Sequence, residues 1–203
     1  MPQLYSYYTI QPAEDILYKD KASKFIGFAY PAKDEKEIKE KLDHLRNLHP
    51  KATHHCYAYR LGLDKNNYRA NDDGEPNGTA GKPILGQIDS FGITNCLIVV
   101  VRYFGGTKLG VSGLIDAYKE CAKETIDAST IIELRILDYY ELKCSYENIN
   151  KIYQIVNNCK ATITAQQLDN QSVFIIATEQ DTSSLLESKL TDEQIEFSFL
   201  ERK

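Results

Sequence analysis

Hydrophobic and polar positions alternate in short runs at the start of the chain, and this pattern predicts β-strands. Residues 4–10 and 16–30 are rich in aromatic and β-branched side chains, with the polar segment YKDKASK between short apolar runs, which is typical of strands joined by a turn. Over residues 33–50 the period changes, and leucine and isoleucine recur at helical spacing between charged residues. The sequence therefore predicts an amphipathic helix here, with Asp34 as its N-cap and Pro50 just beyond its end.

The next part of the chain predicts a strand, a long turn and a helix. Residues 53–61 alternate as a strand does. Residues 67–82 collect the Asn, Asp, Gly and Pro that are typical of turns. Thr79 is a candidate N-cap for a helix that continues through Ile88, with Pro83 in its first turn.

The strongest strand signal is the continuous run CLIVVV at residues 96–101. An unbroken β-branched run of this kind indicates a strand that is buried on both faces. After a glycine-rich segment, residues 114–129 repeat the helical period, with Ser112 or Gly113 near the predicted start.

From about residue 131 the pattern begins again and predicts a second domain. Its elements occur in the order β-α-β-β-α-β, which is the split βαβ arrangement of ferredoxin-like domains. We therefore expect an α+β chain of two domains, 1–130 and 131–203. The elements predicted in the second domain are strand 134–145, helix 147–158, strands 160–168 and 172–178, helix 182–190 and strand 194–200.

Composition and charge limit the class of protein. Hydrophobic residues make up 42% and charged residues 26% of the 203 residues, which is an ordinary globular composition. The net charge is −5; residues 1–130 hold 17 basic and 17 acidic residues, whereas residues 131–203 hold 7 and 12. The first domain is therefore neutral and the second acidic, so strong non-specific binding of nucleic acid is not expected.

Targeting signals and cysteines give a further expectation about location. No apolar run approaches the roughly 20 residues of a membrane helix, and the N-terminus lacks the basic and apolar regions of a signal peptide. The five cysteines are scattered singly, which fits reduced, buried thiols better than disulfides or structural zinc. We expect a cytoplasmic protein with no membrane or DNA partner and no cofactor.

Two segments combine glycines, a lysine and a predicted helix start. They are PNGTAGKP at residues 76–83 and FGGTKLGVSG at residues 104–113. Helix N-termini present unpaired N–H groups and a partial positive charge, so each segment can hold a phosphate or carboxylate beside Lys82 or Lys108. Neither matches a Walker or dinucleotide-binding fingerprint, and the glycines can equally serve turn geometry alone.

Two other clusters carry candidate chemistry. Asp72, Asp73 and Glu75 can serve a cation or acid–base catalysis, although turns favour aspartate for their own geometry. His54 and His55 are adjacent on a predicted strand and point to opposite faces, which disfavours a shared zinc or cysteine–histidine site.

Arg102 follows the buried strand, and two roles for it stay open. It forms either an ion pair with an acid such as Asp73 or a fork for phosphate or carboxylate at the mouth of the glycine loop.

Three stretches together resemble the core of the YigZ/IMPACT family. They are HHCYAYRL, NDDGEPNGTAGKP and VVVRYFGGTKLGVSGLIDAYKECA, and the resemblance covers about residues 15–128. It implies an N-terminal two-layer α/β sandwich like the second domain of a small-subunit ribosomal protein, and a C-terminal domain like the last domain of elongation factor G. It also implies a link to translation, since eukaryotic members regulate a translation-control kinase by binding its activator, and it carries no agreed catalytic residues.

The combined prediction is a non-enzymatic binding protein that contacts RNA, the ribosome or a translation-associated protein through one face of the first domain. The alternative is a small enzyme for a phosphorylated metabolite, with Asp73 or Glu75 as base or metal ligand and Arg102 and Lys108 on the phosphate. A third possibility is that the loops are structural only. The residues expected on the face are His54, His55, Asp73, Glu75, Gly78, Thr79, Lys82, Arg102, Gly105, Gly106, Thr107, Lys108 and Ser112.

Overall fold

The computed structural model describes residues 5–64, 66–169 and 171–203, which form two compact units. The N-terminal unit is Tyr7–Leu134, and the C-terminal unit is Arg135–Lys203 with Tyr5 and Ser6. Both units combine helices with sheets, so the predicted α+β class is confirmed. The domain boundary inferred from the sequence, after residue 130, stays a prediction.

The N-terminal unit is built on a five-stranded antiparallel sheet with the strand order β2-β3-β6-β4-β5. A separate pair of strands, β1 and β7, forms a second small sheet. The elements are β1 (Ser6–Ile10), β2 (Ala13–Asp20), β3 (Ser23–Pro31), α1 (Glu35–Leu48), β4 (His54–Leu61), β5 (Asn67–Asn71), α2 (Gly81–Ser90), β6 (Cys96–Tyr103), α3 (Gly110–Ala128) and β7 (Ile131–Arg135).

Strand β6 lies at the centre of this sheet because its side chains are apolar on both faces. Cys96, Ile98 and Val100 pack with α2 and α3, whereas the alternate residues Leu97 and Val99 pack beneath α1. All of β6 before Tyr103 is buried, as an unbroken apolar run requires. The glycine-rich loop therefore follows the central, buried strand of the sheet.

The main helix signals are confirmed, with differences at their ends. Asp34 caps α1, because its Oδ1 accepts a 2.8 Å hydrogen bond from the backbone N–H of Glu37. Thr79 does not cap α2; its hydroxyl donates to the carbonyl of Pro76 at 2.7 Å. Helix α3 begins at Gly110, ahead of the predicted start at Ser112 or Gly113.

Two strand predictions need correction. Residues 67–71 were expected in a turn, but they form the edge strand β5. An edge strand faces solvent and carries polar side chains, so its sequence lacks the apolar pattern that predicts a strand. The predicted strand 134–145 is two strands, because β7 ends at Arg135 and pairs with β1 in a separate sheet. Residue 4 of the predicted strand 4–10 lies outside the described residues.

The C-terminal unit has the predicted β-α-β-β-α-β order, with its four strands arranged β11-β8-β10-β9 and its two helices over one face. Alternate residues of β8, including Tyr140 and Leu142, are buried in the core beneath the helices. The elements are β8 (Leu137–Ser145), α4 (Ile149–Asn158), β9 (Thr162–Gln167), β10 (Gln171–Glu179), α5 (Ser183–Asp192) and β11 (Glu196–Arg202).

A buried carboxylate ties β8 to the last strand. Asp138 is 1% exposed and accepts hydrogen bonds from Arg202 Nε at 2.5 Å and Nη2 at 2.9 Å, and from the Ser183 hydroxyl at 2.6 Å. Burial alone would raise the pKa of Asp138, but the bonds from Arg202 and Ser183 outweigh it and lower that pKa.

We predict that Asp138→Asn destabilises the C-terminal unit by about 1–3 kcal/mol, since Arg202 loses its charge-assisted partner. A carboxyl whose pKa falls on folding contributes stability above its unfolded pKa of about 3.9 and loses it as pH falls through the folded value. Denaturant unfolding at a series of pH values should therefore show a steeper loss of stability below about pH 4 for wild type than for Asp138→Asn. Equal slopes would contradict this role.

Candidate functional site

Arg102 is a buried cation at the end of β6, on the face that α2 and α3 cover. It is 4% exposed, and its Nη1 donates a 2.5 Å hydrogen bond to Oε1 of Glu75. Its Nη2 lies 3.4 Å from the Ser23 hydroxyl, and its guanidinium lies 5.3 Å and 5.5 Å from the ring centres of Phe25 and Phe104. Among the described residues, Nε of Arg102 has no hydrogen-bond partner. The ion pair, rather than solvent, therefore holds this charge.

Glu75 is the hub of a buried polar network. Its Oε1 also accepts a 2.8 Å hydrogen bond from the Tyr118 hydroxyl, and Nε2 of His54 lies 3.7 Å away. The Cys56 sulfur lies 3.3 Å from the same hydroxyl. Burial raises the pKa of both the Cys56 thiol and the Tyr118 hydroxyl, so both stay protonated and Cys56 is no nucleophile.

The two adjacent histidines lie on opposite faces of β4. His54 faces the same side as Arg102, its partner in the strand register, and its Nδ1 lies 2.8 Å from the carbonyl oxygen of Asp73. His55 faces α1, and its backbone N–H donates a 2.6 Å bond to Oδ2 of Asp73. Burial lowers the pKa of His55, so this ring is neutral in the folded protein at neutral pH.

The N-terminus of α2 is filled by the protein's own carboxylate. Oδ1 of Asp72 accepts hydrogen bonds from the N–H groups of Ala80 at 3.0 Å and Gly81 at 2.8 Å, and Oδ2 accepts from Gly78 at 2.8 Å. Burial favours the neutral acid, but these three backbone bonds and the nearby Lys82 lower the pKa of Asp72. Asp72 therefore occupies the N–H groups that the sequence analysis predicted as a site for a phosphate or carboxylate.

The glycine loop after β6 packs closely at one end and opens at the other. A Cβ on Gly105 would lie 2.0 Å from the backbone of Ala22, so only glycine fits there, while Gly106 has a φ of +86°. The loop leads into α3 at Gly110, and no side chain among the described residues caps that helix start. These two glycines thus serve close approach and a turn, and the N-terminus of α3 stays open.

A cleft lies where this loop meets the buried ion pair. It has a volume of about 350 Å³, and we call it the Arg102 cleft. Lys108, Phe104 and Val111 are exposed at it. Its lining residues are Glu75, Pro76, Arg102, Phe104, Lys108, Leu109, Gly110, Val111 and Leu114. The site thus combines apolar walls, one exposed ammonium group and an open helix start.

Comparison with known proteins identifies the family. The Impact N-terminal domain model matches residues 21–126. The IMPACT family member YvyE of Bacillus subtilis is 35% identical over 149 residues, which are 73% of this chain and 69% of that protein. The chain belongs to the IMPACT family. The resemblance found in the sequence is confirmed.

Two further matches agree with this assignment. The IMPACT family member YigZ of Escherichia coli is 35% identical over 145 residues, which are 70% of this chain and 71% of that protein. The crystal structure of a hypothetical protein aligns over 98% of this chain and 99% of its own, with 28% identity and a TM-score of 0.79. The likeness to that structure therefore covers the described parts of both units.

The Arg102 cleft contains only some of the site residues predicted from the sequence. Glu75, Arg102 and Lys108 line it together, and His54 reaches it through Glu75. His55 and Asp73 lie behind it on β4 and the turn. Three of the predicted residues lie around the N-terminus of α2, where Asp72 accepts the backbone hydrogen bonds: Gly78, Thr79 and Lys82. Three more lie in the glycine loop, namely Gly105, Gly106 and Thr107, and Ser112 lies in the first turn of α3.

Several contributors were missed by the sequence analysis. Tyr118 contacts Glu75, which is 43 residues away along the chain, and Ser23 contacts Arg102, which is 79 residues away. Phe104 flanks the cleft, and its aromatic side chain two residues after Arg102 was its local signal in the sequence. Arg102 pairs with Glu75, whereas the sequence had suggested Asp73 as its acid.

Two further features of the described residues concern metal ions and membranes. No group of three or more His, Cys, Asp or Glu side chains there is placed to hold a metal ion. Asp72 instead caps α2, as the turn interpretation of the NDDGEP segment favours. No helix in the same part of the chain has the length and apolar character needed to cross a membrane.

We predict that Glu75→Gln lowers the free energy of unfolding by about 3–5 kcal/mol, because it leaves the Arg102 charge buried without a partner. The double variant Glu75→Gln/Arg102→Met should lose much less than the sum of the two single losses. Urea unfolding measures this coupling. Asp43→Asn, which removes an exposed ion pair with Arg46 in the same unit, is the control and should cost under about 1 kcal/mol; additive losses in the double variant would refute the coupling.

We also predict that Asp72→Ala costs about 1–2 kcal/mol, because three backbone N–H groups lose their acceptor. Asp72→Asn keeps one acceptor oxygen and should lose less. Inorganic phosphate should restore part of the loss in Asp72→Ala, since the vacated helix N-terminus then accepts an outside anion. Thermal unfolding in phosphate and in chloride of equal ionic strength measures both effects, and an Asp72→Ala variant as stable as wild type would contradict them.

Proposed function

We propose that this protein is a cytoplasmic, non-enzymatic binding protein that acts in translation. In this proposal the N-terminal unit contacts a component of the translation apparatus, RNA or protein, through the Arg102 cleft. The observation that carries the proposal is the cleft itself, where the exposed Lys108 ammonium and the open start of α3 stand beside exposed Phe104 and Val111. Membership of the IMPACT family, whose eukaryotic members act in translation control, supports it.

The charge distribution supports a local contact rather than a broad electrostatic one. The first 130 residues hold equal numbers of basic and acidic residues, and the remaining 73 hold a net charge of −5. A partner that is attracted only by bulk charge would find no net positive charge in either part of the chain. Recognition is therefore expected to depend on the shape and few charges of the cleft.

The contacts of Glu75 favour binding over catalysis at this site. A general base needs a carboxylate oxygen that is free to take a proton from a substrate. Oε1 of Glu75 already accepts bonds from Arg102 and Tyr118. The alternative, an enzyme for a phosphorylated metabolite, would have to use as its base a carboxylate that is already held in a buried ion pair.

Sedimentation of a cell lysate through sucrose gradients at low and moderate salt tests the proposal. We expect wild type to travel with ribosomal particles and Lys108→Glu to stay near the top, because charge reversal at the exposed ammonium repels the bound group. Arg102 is unsuitable as the tested position because its replacement disrupts the buried ion pair.

Lys123→Glu is the matched control, since Lys123 is also exposed on α3 but lies outside the cleft. It should sediment like wild type. If wild type stays at the top, the translation proposal fails. Thermal stabilisation by phosphorylated metabolites would then support the enzyme alternative.

A further inference from the structure

A second groove lies on the other side of Phe104. It has a volume of about 390 Å³ and is lined by Ala22, Lys24, Ile26, His49, Tyr103 and Phe104; we call it the Tyr103 groove. Phe104 also lines the Arg102 cleft, and its side chain is exposed. Because successive residues of β6 alternate between faces, Arg102 and Tyr103 place the two depressions on opposite faces of the sheet. Phe104 is therefore the ridge between them.

The Tyr103 groove exists because α1 ends before it covers the whole sheet face. The helix ends at Leu48, and His49 turns away with its Nδ1 3.0 Å from the Tyr103 hydroxyl. Ile26 and Tyr103 stay half-buried beyond the helix end. Within the described residues, His49 Nε2 is buried and has no hydrogen-bond partner. The groove thus has a largely apolar floor, and the unpartnered Nε2 of His49 is buried beneath it.

One exposed lysine stands at each depression. Lys24 lines the Tyr103 groove and Lys108 lines the Arg102 cleft. In the described part of the chain, neither ammonium lies within ion-pair distance of a carboxylate. Among the described residues, Glu75 is the only acid that lines either depression, and it is paired with Arg102. The surface is therefore apolar at its centre and positive on both sides.

We propose that these two depressions form one docking surface for an extended, acidic segment of a partner protein. The segment crosses Phe104, places an apolar side chain in each depression, and brings carboxylates to Lys24 and Lys108. This inference rests on the proposed function, since it names the kind of partner that the binding end of the N-terminal unit takes. Aromatic side chains are enriched at interfaces, and hot spots lie in pockets that exclude water, so an exposed ring between two apolar depressions is a suitable anchor.

The surface suits an acidic peptide better than a nucleic acid. Single-stranded nucleic acid needs a row of cations along its phosphates in addition to aromatic rings for its bases. Here the two depressions offer one free lysine each, separated by an apolar ridge. A peptide with alternating carboxylates and apolar side chains matches this spacing of charge and apolar surface, whereas a continuous phosphate backbone does not.

Peptide display tests the inference on the full chain. A library of random peptides of about 12 residues, long enough to span about 40 Å when extended, is panned against immobilised wild type and counter-selected against Phe104→Ala. We expect the enriched peptides to carry apolar residues flanked by Asp or Glu. Enrichment of basic or neutral peptides would overturn the inference. So would a result in which no peptide binds wild type in preference to Phe104→Ala.

An enriched peptide is then labelled with a fluorophore, and its binding is measured by polarisation. Phe104→Ala, Lys24→Glu and Lys108→Glu should each weaken binding about tenfold or more, as truncation of interface anchors does. A copy of the peptide with lysine in place of its acids should not bind. Tighter binding of a single-stranded RNA of similar length, lost in the same variants, would replace the acidic segment with nucleic acid and refute the inference.

Tyr68→Ala is the matched aromatic control. Tyr68 is an exposed ring 5.0 Å from the guanidinium of Arg60, just as Phe104 lies beside Arg102, but it is on β5 and lines neither depression. It should leave peptide binding unchanged, and thermal unfolding should show that all four variants are folded. Equal losses in Tyr68→Ala would contradict a specific role for Phe104.

The display and sedimentation experiments can fail independently. Acidic peptides that require Phe104, found for a protein that does not travel with ribosomal particles, would sustain the docking surface and reject the translation role. Sedimentation that requires Lys108, without acidic peptides that require Phe104, would sustain the translation role and reject the acidic occupant.

Discussion

The buried ion pair between Arg102 and Glu75 determines the arrangement of the end of the N-terminal unit that holds the candidate site. Taking two charges out of water costs several kcal/mol for each, and close geometry with further hydrogen bonds is needed to offset that cost. The 2.5 Å contact, the Tyr118 hydroxyl and the neighbouring Ser23 meet this need. Because these groups come from a turn, two strands and α3, the pair fixes all four elements against one another.

The two glycine loops show how similar sequences acquire different roles. Each places glycines and a lysine before a helix, and each helix start attracts negative charge. At α2 that charge is supplied internally by Asp72, which ties the turn to the helix. At α3 no described side chain plays this part, and the loop is instead held by the close approach of Gly105 to Ala22. The first loop therefore stabilises the fold, and only the second fits the binding role proposed for it.

The sequence predicted the elements whose side chains follow a clear period, and it failed where tertiary contacts decide the structure. The buried run in β6 and the leucine spacing of α1 were sufficient for their elements, as was the order of the C-terminal unit. Edge strand β5 was missed because polar residues at an edge resemble a turn. Glu75 and Arg102 were both named as candidates, but their pairing and its support by Tyr118 join residues distant along the chain, which no local pattern encodes.

The same ion pair explains why the candidate surface is not strongly cationic. The charge of Arg102 is matched by Glu75, so its guanidinium gives the cleft a rigid floor and a flat partner for Phe104 more than it gives attraction. The attraction comes from Lys108 and the start of α3, which act only over a short range in salt. For a partner of the kind proposed, apolar contact with Phe104 and Val111 would supply much of the affinity, because one exposed charge contributes little. Such a partner would be recognised by how its apolar groups are spaced relative to its charges.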